Sequence, residues 1–196
     1  MKLNRTIFRA MLPNLPISHP RTSLLYMLSK IHKAINPGRP IVSAVSCPSS
    51  HFASFLDSIL TPIVKQLPTY VQDTSDAFRI FNNFLFTGEH RYLFTMDVKS
   101  LYTVILNADG LTALNIFLDL RPTQNPPTST LLKLAELVLT INGFVFDNKY
   151  YVRVGGVAMG SKLEPSYACL FVGYQEHLIR QQAGRSFSTS HQMIHR

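Results

Sequence analysis

Asp97 closes an apolar stretch, Tyr-Leu-Phe-Thr-Met-Asp, and Ser100 and Tyr102 follow directly. A carboxylate at the end of a buried strand suits Mg2+, a hard cation that takes oxygen ligands. Phosphoryl transfer through two such ions needs carboxylates on adjacent strands, so that the ions bridge the attacking and leaving oxygens. One aspartate supplies only part of that set. Taken alone, Asp97 reads first as a strand-end side chain capping the next turn. Tyr102 is placed so that its ring could stand beneath the sugar of a bound nucleotide. The 2′-hydroxyl separates ribose from deoxyribose, and a ring that blocks it selects deoxynucleotides. Core packing is the plainer reading of a Leu-Tyr pair.

Lys30, Lys33 and Arg39 cluster around Asn36-Pro37-Gly38. Such groups make charge-assisted bonds to a triphosphate or a backbone phosphate, and arginine can do so bidentately. The run GGVAMGSKLEP, residues 155–165, is a glycine-rich loop entering a helix. Its backbone amides could approach a nucleotide or a template strand closely. The spacing matches neither a P-loop nor a dinucleotide fingerprint. Glu164, at the start of that helix, suits the helix dipole.

The charge pattern points the same way. The net charge is +8, from 19 Lys and Arg against 11 Asp and Glu. No acidic residue precedes Asp57 and none follows Glu176. A basic lobe beside a mixed one suits a polyanion, most simply nucleic acid or a nucleotide, although a solvated basic face has the same composition. A hydrophobic fraction of 46% excludes a disordered chain. A charged fraction of only 15% fits a piece of a larger protein, with apolar surface meant for a missing partner domain. Cys47 and Cys169 form neither a metal-ligand pair nor a disulfide framework, so an intracellular location, nuclear or cytoplasmic, is expected. No apolar run approaches the roughly 18 residues of a membrane span, so no membrane partner is expected.

Positioning these residues falls to elements that can be read from periodicity. Residues 1–23 carry Pro13, Pro16 and Pro20 and read as an extended lead-in. The apolar runs Leu24–Leu28 and Ile41–Val45 flank the basic loop as a hairpin with a long turn. Ser49 and Ser50 can cap a helix to about Gln66, with Phe52, Phe55, Leu56, Ile59, Leu60 and Ile63 on one stripe. Thr74 or Ser75 starts a second helix. Residues 92–98 read as a strand, and 108–120 and 128–141 as helices. Residues 144–154 form a hairpin around Asp147-Asn148. Pro165 sits in the first turn of a helix running to about Arg180. The tail, 184–196, has no apolar period.

In order along the chain, SKIHK-x5-RPIVS, FTMDVKSLYT and GGVAMGSKLEPSYACLF resemble the reverse transcriptases of Penelope-like retroelements. The resemblance runs from about residue 24 to residue 180. It implies an α+β fold, a partial right-hand polymerase: fingers plus an incomplete palm with a small antiparallel sheet and packed helices, over residues 24–183. The strand ending at Asp97 is expected beside 144–154 or the loop of the 160s, with the helices 49–66 and 165–180 packed on one face. The family's first catalytic, metal-holding carboxylate matches Asp97, with Mg2+ as cofactor. Its nucleotide-binding fingers residues match Lys33 and Arg39, and its sugar-gate aromatic matches Tyr102. Its template- and primer-proximal block matches Met159, Gly160 and Pro165. The implied partners are an RNA template, a DNA primer and deoxynucleotides.

The chain departs from that pattern at four places. Ser29 stands where the family has proline. Val104-Ile105-Leu106-Asn107 replaces an Ile-Pro-His run. Glu164 replaces a small residue, and an acid there repels template phosphates. The Tyr-x-Asp-Asp hairpin due just after Arg196 is not in the sequence. The expectation is therefore a truncated, inactive reverse transcriptase remnant. The alternative is a non-catalytic module that binds nucleic acid through its basic fingers.

Overall fold

The computed structural model describes residues 17, 19–31, 37–85 and 97–182. Lys33, the body of the expected strand at 92–96, the tail at 184–196 and most of the lead-in lie outside the described residues. Among those described, the fold is α+β, with six helices and a four-stranded mixed sheet.

Two local hairpins build the sheet. β1 (Ser23–Ser29) and β2 (Gly38–Ser43) pair antiparallel, from Leu24↔Ser43 to Ser29↔Gly38. The Lys30 amide extends the ladder by donating to the Pro37 carbonyl at 3.0 Å. β3 (Gly143–Phe146) and β4 (Lys149–Val152) pair antiparallel around Asp147-Asn148. Both turn residues have positive φ, 48° and 58°. That mirror-image turn matches the right-handed twist of the strands it joins, and Asp and Asn tolerate it better than most side chains.

The strand order is β2-β1-β3-β4, and β1 joins β3 in parallel through Ser23↔Phe144 and Leu24↔Val145. The small sheet is thus mixed rather than antiparallel as expected. The reason is topological. Each hairpin fixes the direction of its own pair, but nothing local fixes the direction in which two separate hairpins meet. Parallel neighbours need a long crossover, and here every helix but the last lies within it.

That crossover runs through α1 (Ser50–Val64), α2 (Thr74–Asn83), α3 (Leu101–Val104), α4 (Asn107–Asp119) and α5 (Thr128–Thr140), and the chain ends its described part in α6 (Glu164–Gln182). The core lies among α1, α4, α5 and α6, where Leu56, Leu60, Leu114, Leu118, Leu131, Ala135, Tyr167 and Leu170 are fully buried. Along α1 the buried line is Ala53, Leu56, Leu60 and Val64. Phe52, Phe55, Ile59 and Ile63 flank it only partly buried. The stripe is therefore centred on smaller side chains than the expected Phe-rich one, because helices approach closely where Ala and Val face the partner. Polar ties join α1 to α6: the Ser166 hydroxyl donates to the Asp57 carboxylate and lies 3.3 Å from the Thr61 hydroxyl. Farther along, Thr69 donates to the buried Glu176 carboxylate at 2.5 Å.

The start of α1 differs from the expected one in detail. Ser49 does precede α1, but its hydroxyl lies 3.4 Å from the Cys47 sulfur and caps no amide. α2 starts at Thr74, one of the two expected positions, and Asp73 caps it: its carboxylate accepts from the Asp76 amide at 2.9 Å. A charged acceptor outcompetes a hydroxyl at that position. α2 buries none of its residues, and Phe78 and Phe81 stand exposed. No helix among the described residues is long and apolar enough to cross a membrane.

Candidate functional site

The glycine-rich loop is clamped between β2 and α3 by its backbone. On one side, the Val42 amide of β2 donates to the Met159 carbonyl at 2.7 Å. On the other, the Val157 amide donates to the Tyr102 carbonyl at 2.8 Å. Two glycines make this possible. Gly156 has φ of 74°, and a Cβ there would lie 2.5 Å from the Tyr102 carbonyl oxygen. Gly160 has φ of 109°, and a Cβ there would lie 2.5 Å from the Val42 carbonyl oxygen. Only glycine combines such dihedrals with so close an approach of two backbones. Gly155, by contrast, has open space around it.

Tyr102 enters the site from the short α3, which starts after Ser100 in the left-handed conformation, φ 57°. Glu164 enters from the first residue of α6 and is buried, 9% exposed. One of its carboxylate oxygens accepts from the Gly160 amide at 2.6 Å, and the Tyr102 hydroxyl lies near the carboxylate. The guanidinium groups of Arg153, just after β4, and Arg39, on β2, add a favourable field. Burial nevertheless dominates and raises the Glu164 carboxyl above its ordinary 4.5, against the lowering effects of Gly160, Tyr102, Arg153 and Arg39. The Tyr102 hydroxyl is raised too, by burial first and then by the Glu164 charge, with Arg39 opposing. Burial lowers Arg153, and its Nε has no hydrogen-bond partner. Arg153 also lines a cavity of about 20 Å³ beneath the sheet, with Ser23, Asn142 and Ser161.

The Glu164 shift sets a pH dependence. The native state holds this proton more tightly than the unfolded chain. Its contribution to stability is therefore complete below the ordinary value of 4.5 and is lost as pH rises through the raised native value. Thermal unfolding of Glu164→Gln, followed between about pH 4 and pH 8, is expected to show a flatter dependence than the parent over that window. An identical slope in the two proteins would show that Glu164 titrates normally.

The residues singled out in the sequence are partly gathered here. Tyr102, Arg39, Met159 and Gly160 surround Glu164, although Met159 acts through its carbonyl rather than its side chain. Pro165 is exposed, as the second residue of α6. Lys30 holds the end of the hairpin. Lys33 lies outside the described residues. Asp97 is exposed and lies in no described strand, and the rest of its expected strand lies outside the described residues. Among the described residues no three His, Cys, Asp or Glu side chains come together as a metal site. The described residues alone do not make the ligand set of a Mg2+ pair.

Two participants were not legible beforehand. Glu164 is no simple partner of the helix dipole: it is buried at the centre of the cluster and accepts from the Gly160 amide. Arg153 carries no local motif, and only its position after an alternating strand could have drawn notice.

No protein-family model matches the chain, and no curated protein matches it.

Proposed function

We propose that the chain is a reverse-transcriptase-type domain of a retroelement, with β1 and β2 as fingers and the remainder as an incomplete palm. In this reading the Arg39–Tyr102–Gly160 cluster receives a deoxynucleoside triphosphate. Arg39 meets phosphate, the Tyr102 ring stands under the sugar, and the Gly160 turn lies near the nascent base pair. The observation that carries the reading is the gathering of these three residues, remote in sequence, around one buried carboxylate. Equilibrium binding of a deoxynucleoside triphosphate tests it: the parent chain is expected to bind and Arg39→Ala to bind more weakly. No binding by the parent would sink the proposal.

The 196-residue polypeptide is expected to make no DNA on a primed RNA template with Mg2+ or Mn2+. Two divalent cations held a few ångströms apart repel each other unless several carboxylates neutralise them. Asp97 brings one, with no second and third acid grouped beside it among the described residues. Primer extension by the parent chain that vanishes in Asp97→Asn would overturn this expectation and would mean that another acid completes the site.

A second reading, a non-catalytic module for single-stranded nucleic acid, is favoured by the open face of the sheet. The register puts Leu24, Tyr26, Leu28 and Arg39 on the same face as Tyr150 and Val152. Tyr26, Tyr150 and Arg39 are exposed. Aromatic rings for stacking beside cations for phosphate are the chemistry of sequence-tolerant strand binding.

A further inference from the structure

We infer that the cavity at the join of β1 and β3 is a binding site for a single monatomic anion of chloride size, held by Arg153 and two serine hydroxyls. The inference is independent of the nucleotide reading above.

The cavity has a volume of about 20 Å³. One water needs about 10–15 Å³, so the space admits a guest of one heavy atom and excludes phosphate, sulfate or a nucleotide. Its polar wall consists of Ser23, Cys47, Ser49, Asn142, Arg153 and Ser161, and no Asp or Glu lines it. Part of that wall is already committed. The Ser49 hydroxyl lies 3.4 Å from the Cys47 sulfur, and the Asn142 side-chain amide donates to the Leu139 carbonyl. What remains is rich in donors. Arg153 Nε is shut off from solvent and has no hydrogen-bond partner among the described residues. The Ser161 oxygen accepts from the Leu163 amide at 3.4 Å, which leaves its own proton free to donate. Ser23 is half-buried at the start of β1, and its hydroxyl makes no hydrogen bond among the described residues.

Charge decides between an anion and a water. Arg153 is half-buried and forms no ion pair among the described residues. Glu164 reaches it only as a longer-range field. A cation withdrawn from water is costly unless opposite charge or acceptors compensate it. A water brings two protons of its own to a wall already supplied with donors. A chloride brings negative charge and only accepts. Its place also gives it a structural task. Ser23 and Phe144, which face each other in the β1–β3 register, both line the cavity, as does Ser161 of the glycine-rich loop. An anion there adds an ionic tie to a strand union that only two residue pairs make.

The test is thermal unfolding of the whole 196-residue chain, with chloride replacing gluconate at constant ionic strength. Gluconate is too large for the cavity, and screening is equal in the two salts. The parent midpoint is expected to rise by roughly 2–4 °C in ~0.5 M chloride, as an affinity on the order of 0.1 M requires. Arg153→Lys keeps the charge but loses the Nε donor, and Ser23→Ala loses one hydroxyl. Both are expected to lose most of the chloride gain. Lys149→Ala, which removes an exposed cation from the neighbouring strand, is expected to keep it. If Arg153→Lys does not fold, Ser23→Ala and Ser161→Ala decide the matter. A parent with the same midpoint in both salts overturns the inference and leaves the space to a water. An undiminished gain in Arg153→Lys overturns it too, since the chloride effect then belongs to another part of the surface.

Discussion

Gly110→Ala is expected to unfold at a markedly lower temperature than the parent, by roughly 3 kcal/mol or more of stability. Gly110 lies in the buried face of α4, directly against Tyr167 of α6. A methyl group built on it overlaps the Tyr167 hydroxyl and the ring carbon that bears it. Neither partner has room to retreat. Tyr167 is 1% exposed in the centre of the core, and Gly110 is held within a helix whose Ala113, Leu114 and Leu118 are buried too. Burial also raises the Tyr167 phenol well above its ordinary 10.0. For a chain of this length the loss corresponds to a fall in midpoint of roughly 6–12 °C, measurable by scanning calorimetry or circular dichroism. Tyr167→Phe in the same background removes the overlapping oxygen and is expected to restore part of the loss. A Gly110→Ala protein with the parent's midpoint would mean that α4 and α6 do not pack as described.

The second large effect concerns nucleic acid. Joint replacement of Lys30, Lys33 and Arg39 by Ala is expected to weaken binding to single strands about 30- to 100-fold at low salt. The slope of log affinity against log salt should become shallower by about 2, since each lost phosphate contact removes ~0.7 from it. The loss should be equal for every base sequence, because phosphate contacts position a strand without reading it. Binding of the parent that does not respond to salt, or a triple variant that loses one sequence selectively, would remove the basic hairpin from the interface. Nucleotide binding separates the roles within this set, since Arg39 stands near Tyr102 and Glu164 while Lys30 ends the β1–β2 ladder.

The local half of the fold was legible in the sequence for physical reasons. The hairpin at Asp147-Asn148 announces itself because few residue pairs accept two consecutive positive φ angles. The helices α1, α4, α5 and α6 lie within a residue or two of their expected spans because apolar periodicity must match 3.6 residues per turn wherever one face is buried. What the sequence did not reveal was non-local. The parallel union of β1 with β3 involves only two residue pairs and leaves no mark on composition. The site was half legible for the same reason. Tyr102 and Gly160 belong to short recognisable runs, whereas Glu164 read as a departure from one. Its meaning depends on Gly160, Tyr102, Arg39 and Arg153 arriving from four directions. A buried acid is costly in isolation and acceptable among donors, and donors from distant segments cannot be seen along a single line of residues.

The union of β1 with β3 also orders events in time. Each hairpin closes its own turn within microseconds. Joining them must wait for the long crossover between, whose closure entropy delays non-local strand pairing. During synthesis from the N-terminus, at ~5–20 residues per second, the first hairpin emerges on the order of ten seconds before the strand that completes its sheet. Throughout that interval the β1 edge that later meets Phe144 and Val145 is open, and the neighbouring Leu24, Met27 and Leu28 remain half-exposed even in the finished fold. The yield of folded chain is therefore governed by what shields that edge while α1 to α5 assemble, and slower translation lengthens the exposure.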